Sequence, residues 1–337
     1  MTHYAFGDSI TAGTGASLQA NCYVNRLNTD FSLTTVNDGV STNMVMDQAP
    51  KVYGVNTVAG DVSTIMLGTN DQAQYAAQGS AGLAYYIDGL RALSVWLASE
   101  CSLATPANGV SFSGAWGTGY AYSMHGASAA GATAAFTTTG DVFILGTLRQ
   151  VGNASTFTVT VDGVLKGSYA TAGAVTTLLG VAYGPYGIAI TGLGAGSHAV
   201  TINVTHADAS NPVYFHWYSS CAPKSKVVLG NTPHALAYTF GGSNANVDAY
   251  NTALAALAAE LSGYGLDVSV IDSCSQLNPG DMYDNVHPND YGHMKIRTLF
   301  YKAITGNAAP VIYIQTAIYL GSDGNLYGGE SPLKLIN

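Results

Sequence analysis

The chain has 337 residues, of which 47% are hydrophobic and only 9% are charged, whereas soluble domains average roughly a quarter charged residues. Its 11 basic and 20 acidic residues give a net charge of -9 without any basic run, so nucleic acid is unsuited as a partner. No stretch reaches the ~18 consecutive apolar residues of a membrane helix, and we therefore expect no membrane partner.

The N-terminus and the cysteines limit the class of protein further. The opening residues MTHYAFGDSI lack the basic and apolar regions of a secretory signal, so any export is expected to use another route. Cys22, Cys101, Cys221 and Cys274 are widely spaced and form no CxxC pair, which argues against a zinc ribbon or a disulfide scaffold. A length above ~250 residues predicts two domains, or one domain with a large insertion.

Residues 1–104 alternate short apolar runs with helix-like segments. The runs HYAF, SLTTVNDG and VSTIMLGTND are typical of strands followed by loops, and LAYYIDGLRALSVWLASE has apolar residues at helical spacing. Strands that alternate with helices indicate a parallel sheet. We therefore predict that this segment is the first part of an α/β domain.

Residues 105–212 have a different texture, rich in Gly, Ser, Thr, Ala and aromatic residues. Alternating stretches such as TFTVTVDGVLKG and HAVTINVTH indicate strands, and the pair Asp162-Gly163 is a strong hairpin signal. The segment predicts an all-β module, a sandwich or jelly roll, inserted at a surface loop of the α/β domain, where insertions are best tolerated.

The α/β pattern returns over residues 213–308. KVVLGNT and LDVSVIDS are typical of buried strands, and NVDAYNTALAALAAELSGYG of a helix that ends at glycines. Residues 309–337 predict a short β-rich, hairpin-forming appendage. This appendage could be a packing strap for the α/β domain, or an attachment or oligomer contact.

A search for catalytic motifs first excludes several enzyme classes. The chain has no HExxH, no GxxxxGK[ST], no GxSxG elbow and no EF-hand loop, so zincins, P-loop enzymes and ordinary α/β-hydrolases are excluded. We expect no metal and no cofactor.

Four polar blocks do follow predicted strands or occupy a late loop. They are Gly7-Asp8-Ser9-Ile10, Gly39, Gly68-Thr69-Asn70-Asp71 and Asp284-Asn285-Val286-His287-Pro288. Ligands of open parallel sheets bind beyond the carboxyl ends of the strands, so these blocks are expected to converge on one crevice.

This set of blocks resembles the SGNH (GDSL) hydrolase family, in which they contribute Ser, Gly, Asn and His to one site. The resemblance covers residues 1–104 and 213–308, and implies a flavodoxin-like parallel sheet with helices on both faces. The second block, VNDGVST, departs from the commoner NxGxSG because Thr42 stands where Gly is often found.

The family chemistry assigns a role to each block. A serine hydroxyl needs an imidazole to accept its proton and a carboxylate to orient that imidazole, and Ser9, His287 and Asp284 fill these catalytic roles. The oxyanion then needs neutral donors. These are the backbone N–H groups of Ser9 and Gly39 and the side-chain amide of Asn70.

Two acidic residues of the blocks have a structural interpretation. Asp8 is expected to cap the first helix, since aspartate is a favoured N-cap residue. Asp71 is expected to hold its own loop.

The β module is rich in rings, among which Trp116, Tyr120 and Tyr122 are candidate substrate-binding residues. Tyrosine accounts for 22 of the 337 residues, and exposed Tyr and Trp offer flat apolar faces suited to sugar rings. This texture resembles the carbohydrate-binding jelly-roll modules that accompany SGNH esterases. The expected partner is an O-acetylated polysaccharide.

We therefore predict a serine esterase that removes O-acetyl or other short acyl groups from a polysaccharide. One alternative is a non-catalytic glycan-binding tail-spike or receptor-binding protein, and another is a lipase-type GDSL esterase, which would need an apolar channel and a lid. Low charge, abundant Gly and Tyr and a β-rich tail also resemble bacteriophage tail spikes. An extracellular or virion-associated location, with homo-oligomerisation or attachment to a larger assembly, is expected on that basis.

Overall fold

The computed structural model describes residues 1–31, 33–173, 176–238 and 241–310, with two short strands beyond them. Its α-helices are α1 Ser9–Ala12, α2 Tyr23–Phe31, α3 Val45–Val52, α4 Thr69–Gln74, α5 Ser80–Ala98, α6 Asn244–Gly263 and α7 Asp290–Thr305. Among these described residues, no helix has both the length and the apolar character needed to cross a membrane.

A five-stranded parallel sheet forms the centre of the α/β domain. Its strands are β1 Thr2–Gly7, β2 Thr34–Gly39, β3 Val62–Met66, β16 Lys226–Gly230 and β17 Val268–Ile271, in the order β17-β16-β3-β1-β2. All five residues of β3 are buried, as expected for a strand covered on both faces by helices. The strand order reverses at β1, which is the flavodoxin-like arrangement. The predicted α/β fold class is confirmed.

The chain between helix α5 and strand β16 forms antiparallel sheets. Its strands are β4 Ser102–Leu103, β5 Ser111–Ser113, β6 Trp116–Gly117, β7 His125–Ala127, β8 Thr133–Thr139, β9 Val142–Gln150, β10 Thr156–Val161, β11 Val164–Ala170, β12 Tyr183–Thr191, β13 Ser197–His206, β14 Val213–Phe215 and β15 Trp217–Ser219. They form sheets in the orders β11-β10-β13-β8-β5, β12-β9-β15-β4 and β14-β7-β6. These strands start and end a few residues outside the predicted insertion, residues 105–212.

The hairpin predicted at Asp162-Gly163 is confirmed. Strands β10 and β11 pair through Val161 and Val164, and both turn residues have positive φ angles of 50° and 77°. Positive φ at both central residues is typical of the turn that matches strand twist. The tail contains strands β18 Ile318–Leu320 and β19 Leu326–Gly328, which pair antiparallel. The rest of the predicted appendage lies outside the described residues.

Helix α5 lies between the parallel sheet and strand β12 of the inserted module. Close main-chain approach is possible because glycines stand at the contacts. A Cβ on Gly187 of β12 would lie 2.7 Å from the backbone nitrogen of Ala92 in α5, and one on Gly184 would lie 2.4 Å from the Met46 side chain in α3. The module is therefore packed against the α/β domain, with α5 as the layer between the parallel sheet and β12.

Charged residues reinforce this contact. Arg149 of β9 pairs with Asp88 of α5 at 2.8 Å, and Asp88 also pairs with Arg91 at 2.7 Å. Arg91 reaches Glu260 of α6 at 2.8 Å, so the network connects the module to two helices. The Arg149 guanidinium also lies 3.8 Å from the centre of the Tyr186 ring, a cation–π contact.

Replacing the glycine at the β12–α5 contact tests this packing. Gly187→Ala should lower the free energy of unfolding by about 1–3 kcal/mol, because the new methyl group meets backbone atoms that cannot move aside. Gly263→Ala is the matched control, since no atom lies within 4 Å of its Cβ position. Equal denaturation midpoints for both variants would show that the contact is loose.

Candidate functional site

Ser9 lies at the point where strand β1 gives way to helix α1. Asp8 caps this helix by accepting the backbone N–H of Ile10 at 2.9 Å, as the sequence predicted. Ser9 is thus the first helical residue, and its own backbone N–H has no intrahelical acceptor. Its hydroxyl Oγ lies 2.8 Å from Nε2 of His287, which is 278 positions away in the chain.

A single turn supplies the imidazole and a carboxylate. Asp284 Oδ2 accepts the Nδ1–H of His287 at 2.8 Å, and Oδ1 accepts the backbone N–H groups of Val286 and His287, each at 2.7 Å. Burial alone raises the pKa of Asp284, but these hydrogen bonds outweigh it and hold the pKa below its ordinary value. The charged carboxylate therefore keeps Nε2 of the imidazole turned toward Ser9.

This turn is anchored to its neighbours on both sides. The backbone N–H of Leu236 donates to the carbonyl of Asn285 at 2.7 Å, and the N–H of Tyr283 donates to the carbonyl of His287 at 2.8 Å. On the other side, Gly15 approaches Pro288 so closely that a Cβ would lie 2.2 Å from the Pro288 carbonyl oxygen. The imidazole is therefore placed by the backbone as well as by Asp284.

Asn70 lies at the start of α4, directly after strand β3. Its Nδ2 donates one hydrogen bond to the carbonyl of Asn43 at 2.9 Å, which leaves the second N–H of the amide for a ligand. Asn70 and Ser9 line one cavity of about 260 Å³. The other lining residues are Thr14, Ser41, Thr42, Thr69, Ala73, Tyr238, Val286 and His287.

The structure does not bring Gly39 into this cavity. The backbone N–H of Gly39 donates to Oδ1 of Asn37 at 3.0 Å, and a Cβ at Gly39 would lie 2.4 Å from the backbone nitrogen of Ala12. Glycine is needed here because the loop packs against helix α1. Gly39 thus supports the Ser9 helix, and the donor role predicted for it needs another residue.

Thr42 takes the position that the sequence analysis gave to Gly39. It lines the cavity, and its backbone N–H has no acceptor among the described residues. Its φ angle of 67° lies in the left-handed region that favours glycine. The departure from NxGxSG at Thr42 was therefore the sequence signal for this donor position. Tyr238, which also lines the cavity, carried no such signal.

Two buried aspartates lie just outside the cavity. Asp71 is 0% exposed, and burial raises its pKa to about 8. Its Oδ1 accepts the backbone N–H of Val45 at 3.1 Å, so it holds the start of helix α3 as well as its own loop. Asp8 is 1% exposed, and burial raises its pKa to about 6 although the nearby His287 lowers it.

The three rings proposed as substrate-binding residues lie elsewhere. Trp116 packs on Phe112 with ring centres 5.1 Å apart, and Tyr120 meets Tyr214 edge-on at 5.4 Å. Tyr122 belongs to an aromatic cluster with Tyr53, Tyr183 and His216. None of the three lines the Ser9 cavity. Their predicted contact with substrate stays a prediction.

One set of side chains in the described part of the chain has the donors of a cation site. The donor atoms of His234, Asp248 and Cys274 lie within 4.8 Å of one another, and His234 Nε2 is 2.7 Å from Asp248 Oδ1. The set lines a separate cavity and does not reach Ser9. The His234–Asp248 pair is complete without a cation.

The raised pKa of Asp71 predicts how stability depends on pH. The folded carboxyl binds its proton up to about pH 8, while the unfolded one releases it near pH ~3.9, so stability should fall as the pH rises between these values. Asp71→Asn keeps the acceptor for Val45 and should be more stable than the parent at about pH 8, with a gap that narrows toward about pH 5. Urea denaturation at both pH values measures this. Parallel stability curves would mean that Asp71 is charged, and the exposed Asp267→Asn should show no gap.

Comparison with known proteins matches one family model to part of the chain. The family model described as GDSL-like lipase/acylhydrolase matches residues 5–138, a range that contains Ser9 and Asn70. No curated protein is similar in sequence to the chain.

Several solved structures are similar to parts of the fold. A two-domain esterase active on acetylated mannans is 11% identical, with a TM-score of 0.39 over 67% of this chain and 91% of that chain. A carbohydrate acetylesterase from Sinorhizobium meliloti is 11% identical, with a TM-score of 0.43 over 90% and 98%. A carbohydrate-binding module in complex with calcium and xylotriose is 13% identical, with a TM-score of 0.28 over 36% and 98%.

These TM-scores are below 0.5, so the family assignment depends on the matched model and on the four blocks. The blocks follow β1, β2 and β3 and occupy the loop before α7, in the order that the resemblance requires. Residues 5–138 thus match the GDSL-like lipase/acylhydrolase model, and an antiparallel β module interrupts the parallel α/β domain that contains Ser9 and Asn70.

Proposed function

We propose that the chain is a serine esterase that removes O-acetyl groups from a polysaccharide. The observation that carries this proposal is the set of two 2.8 Å hydrogen bonds that joins Ser9, His287 and Asp284 at the mouth of a small cavity. A serine in this arrangement has a base within reach and a carboxylate that stabilises the protonated base.

The geometry supports a two-step acyl transfer. Ser9 Oγ attacks the ester carbonyl while its proton moves to Nε2 of His287, and the imidazolium then gives this proton to the departing sugar oxygen. Water repeats the sequence on the acyl-enzyme and releases the acid. Asp284 keeps the Nδ1–H of the imidazole oriented in both steps.

Three neutral donors are available for the oxyanion of each tetrahedral intermediate. They are the backbone N–H of Ser9 at the start of α1, the free N–H of the Asn70 amide and the backbone N–H of Thr42. Donors that are fixed before the reaction stabilise the developing charge without reorganisation. Asn70 meets this condition because Asn43 holds its amide at 2.9 Å.

The size of the cavity favours a short acyl group. At about 260 Å³ it is smaller than the ~300–1,000 Å³ of sites that enclose drug-sized ligands. Its rim is polar, with Thr14, Ser41, Thr42 and Thr69. An acetyl group fits this space, while a long acyl chain would extend into water.

A sugar as the alcohol part of the ester is supported by apolar side chains beside the site. Tyr283 precedes Asp284 and is 68% exposed, and Leu236, which bonds to the same loop, is 51% exposed. Exposed rings suit the flat faces of sugars. We further propose an extracellular or virion-associated location, where such polysaccharides occur. Membership of a tail spike stays a prediction.

The role of Ser9 can be tested directly. Ser9→Ala should abolish hydrolysis of p-nitrophenyl acetate without lowering the melting temperature, leaving at most the ~10³–10⁴-fold residual over water known for other triads. A fluorophosphonate should label Ser9 in the parent protein, as located by peptide mass spectrometry. The exposed Ser275→Ala should retain both activity and labelling. Turnover by Ser9→Ala near the parent level, or label on another serine, would contradict the proposal.

The acyl and glycan preferences need a separate measurement. With p-nitrophenyl esters of two to twelve carbons, kcat/KM should be highest for acetate and fall by at least about tenfold by six carbons, because the cavity of about 260 Å³ does not enclose the longer chain. Acetate release from a panel of O-acetylated polysaccharides should identify the substrate. A preference for long chains would support the lipase alternative. Glycan binding without turnover of any ester would support the non-catalytic alternative.

A further inference from the structure

A loop of the inserted module reaches the helices that carry the proposed oxyanion donors. The side-chain hydroxyl of Thr177 donates to Oδ1 of Asp47 in helix α3 at 2.8 Å. Both residues are buried, with 4% and 8% of their surface exposed. The hydroxyl also accepts the backbone N–H of Val181 at 3.0 Å, so its orientation is fixed from within the module.

Asp47 connects Thr177 to the backbone at the start of helix α3. Its second oxygen, Oδ2, accepts the backbone N–H of Met44 at 2.8 Å. The preceding residue, Asn43, holds the Asn70 amide through its carbonyl oxygen. Only one residue separates Thr42 from Met44. The path from the module to two of the three proposed donors therefore contains one bridging carboxylate.

Further contacts keep the same module segment, residues 176–181, on the two helices. Gln74 at the end of α4 donates its Nε2–H to the carbonyl of Thr176 at 3.1 Å. Leu178 packs against the buried cluster of Met44, Met46 and Tyr75. The segment thus contacts both α3, which follows the Thr42 loop, and α4, whose second residue is Asn70.

We propose that Thr177 is a positioning residue of the esterase site and that the inserted module sets the geometry of the oxyanion donors. This inference rests on the proposed function, since it assigns Thr177 to the same Ser9 site. The module then has a role on every substrate, including small esters that it does not bind. Ser9, His287 and Asp284 have no bond to this segment, so nucleophile activation is independent of it.

Removal of the bridging hydroxyl tests this role. Thr177→Val keeps the shape of the side chain and should lower kcat on p-nitrophenyl acetate by about threefold to tenfold at unchanged KM, because small donor displacements weaken binding of the transition state only. Thr177→Ser retains the hydroxyl and should restore at least half of the parent kcat.

Thr171→Val is the matched control for loss of a buried module hydroxyl. Thr171 is 0% exposed, and its Oγ1 bonds to Asn153 and Ser155 inside the module. This variant should lose a similar amount of stability while kcat stays within about twofold of the parent. An equal fall in kcat for Thr171→Val and Thr177→Val would overturn the proposal, since general loosening of the module would then be the cause.

A double-mutant cycle separates positioning from general effects. Asn70→Ala alone should lower kcat by ~10²–10³, and adding Thr177→Val to it should cost less than the same change costs in the parent, because one of the two donors that Thr177 positions is already absent. The same fold loss in both backgrounds, or a change in KM alone, would overturn the inference. The function would still stand if Ser9→Ala were inactive, whereas an active Ser9→Ala would overturn both.

If Thr177→Val does not fold, a milder variant takes its place. Gln74→Ala removes a bond from an exposed side chain to the carbonyl of Thr176 and should lower kcat by about twofold at an unchanged melting temperature. This loss should vanish in the Asn70→Ala background, because Gln74 belongs to α4, the helix that carries Asn70. An unchanged kcat, or a loss that persists in that background, counts against the proposal.

Discussion

Main-chain contact between strand β12 and helices α3 and α5 is the constraint on which the rest of the molecule depends. Gly184 and Gly187 allow this contact, because a single methyl group at either position would overlap an atom of the helices. Gly89 has the same function between α5 and α3, where a Cβ would lie 2.5 Å from Val45. A segment that could have been a separate domain is thereby fixed against helices α3 and α5.

This contact accounts for the many buried residues of α5. A helix that is covered on one side only has a single apolar stripe, but α5 is covered by the parallel sheet and by β12, so buried residues surround much of it. The charges that remain at the contact are paired. Asp88 and Arg91 of α5 connect with Arg149 of the module and Glu260 of α6. Because α5 is covered on two sides, few of its positions can carry a charged residue.

The sequence predicts best what depends on local pattern. The parallel sheet follows from the alternation of strands and helices, the four blocks from motif order, and the Asp162-Gly163 hairpin from turn chemistry, while the flavodoxin-like arrangement was implied by the family resemblance. The sequence analysis assigned an oxyanion-donor role to Gly39 because glycine in such loops can either expose its backbone to a ligand or permit close packing. Gly39 permits close packing on α1, whereas the residue that lines the cavity is Thr42, whose positive φ is consistent with the glycine that the NxGxSG pattern usually has there.

Long-range contacts were outside the reach of sequence pattern. Thr177 and Asp47 are 130 positions apart, and neither belongs to a motif. Trp116, Tyr120 and Tyr122 have the residue types of a sugar platform, but only tertiary packing decides whether a ring is exposed. Trp116 and Tyr120 pack on rings of the module, and Tyr122 packs on Tyr53 of the α/β domain. The exposed Tyr283 has no distinguishing sequence context, although it directly precedes the catalytic carboxylate proposed here.

The two halves of the proposed chemistry have separate supports. The base and its carboxylate lie on one turn, held by backbone hydrogen bonds within that turn and by Leu236 and Gly15 of the α/β domain. The donors at Asn70 and Thr42 depend instead on the positions of α3 and α4. These helices are hydrogen-bonded to the module through Asp47 and Gln74. A change in the module should therefore weaken stabilisation of the transition-state oxyanion while leaving activation of the Ser9 nucleophile unchanged. Because the serine and imidazole keep their bond in that case, a loosened module would give a protein that still reacts with a covalent serine probe but turns over slowly.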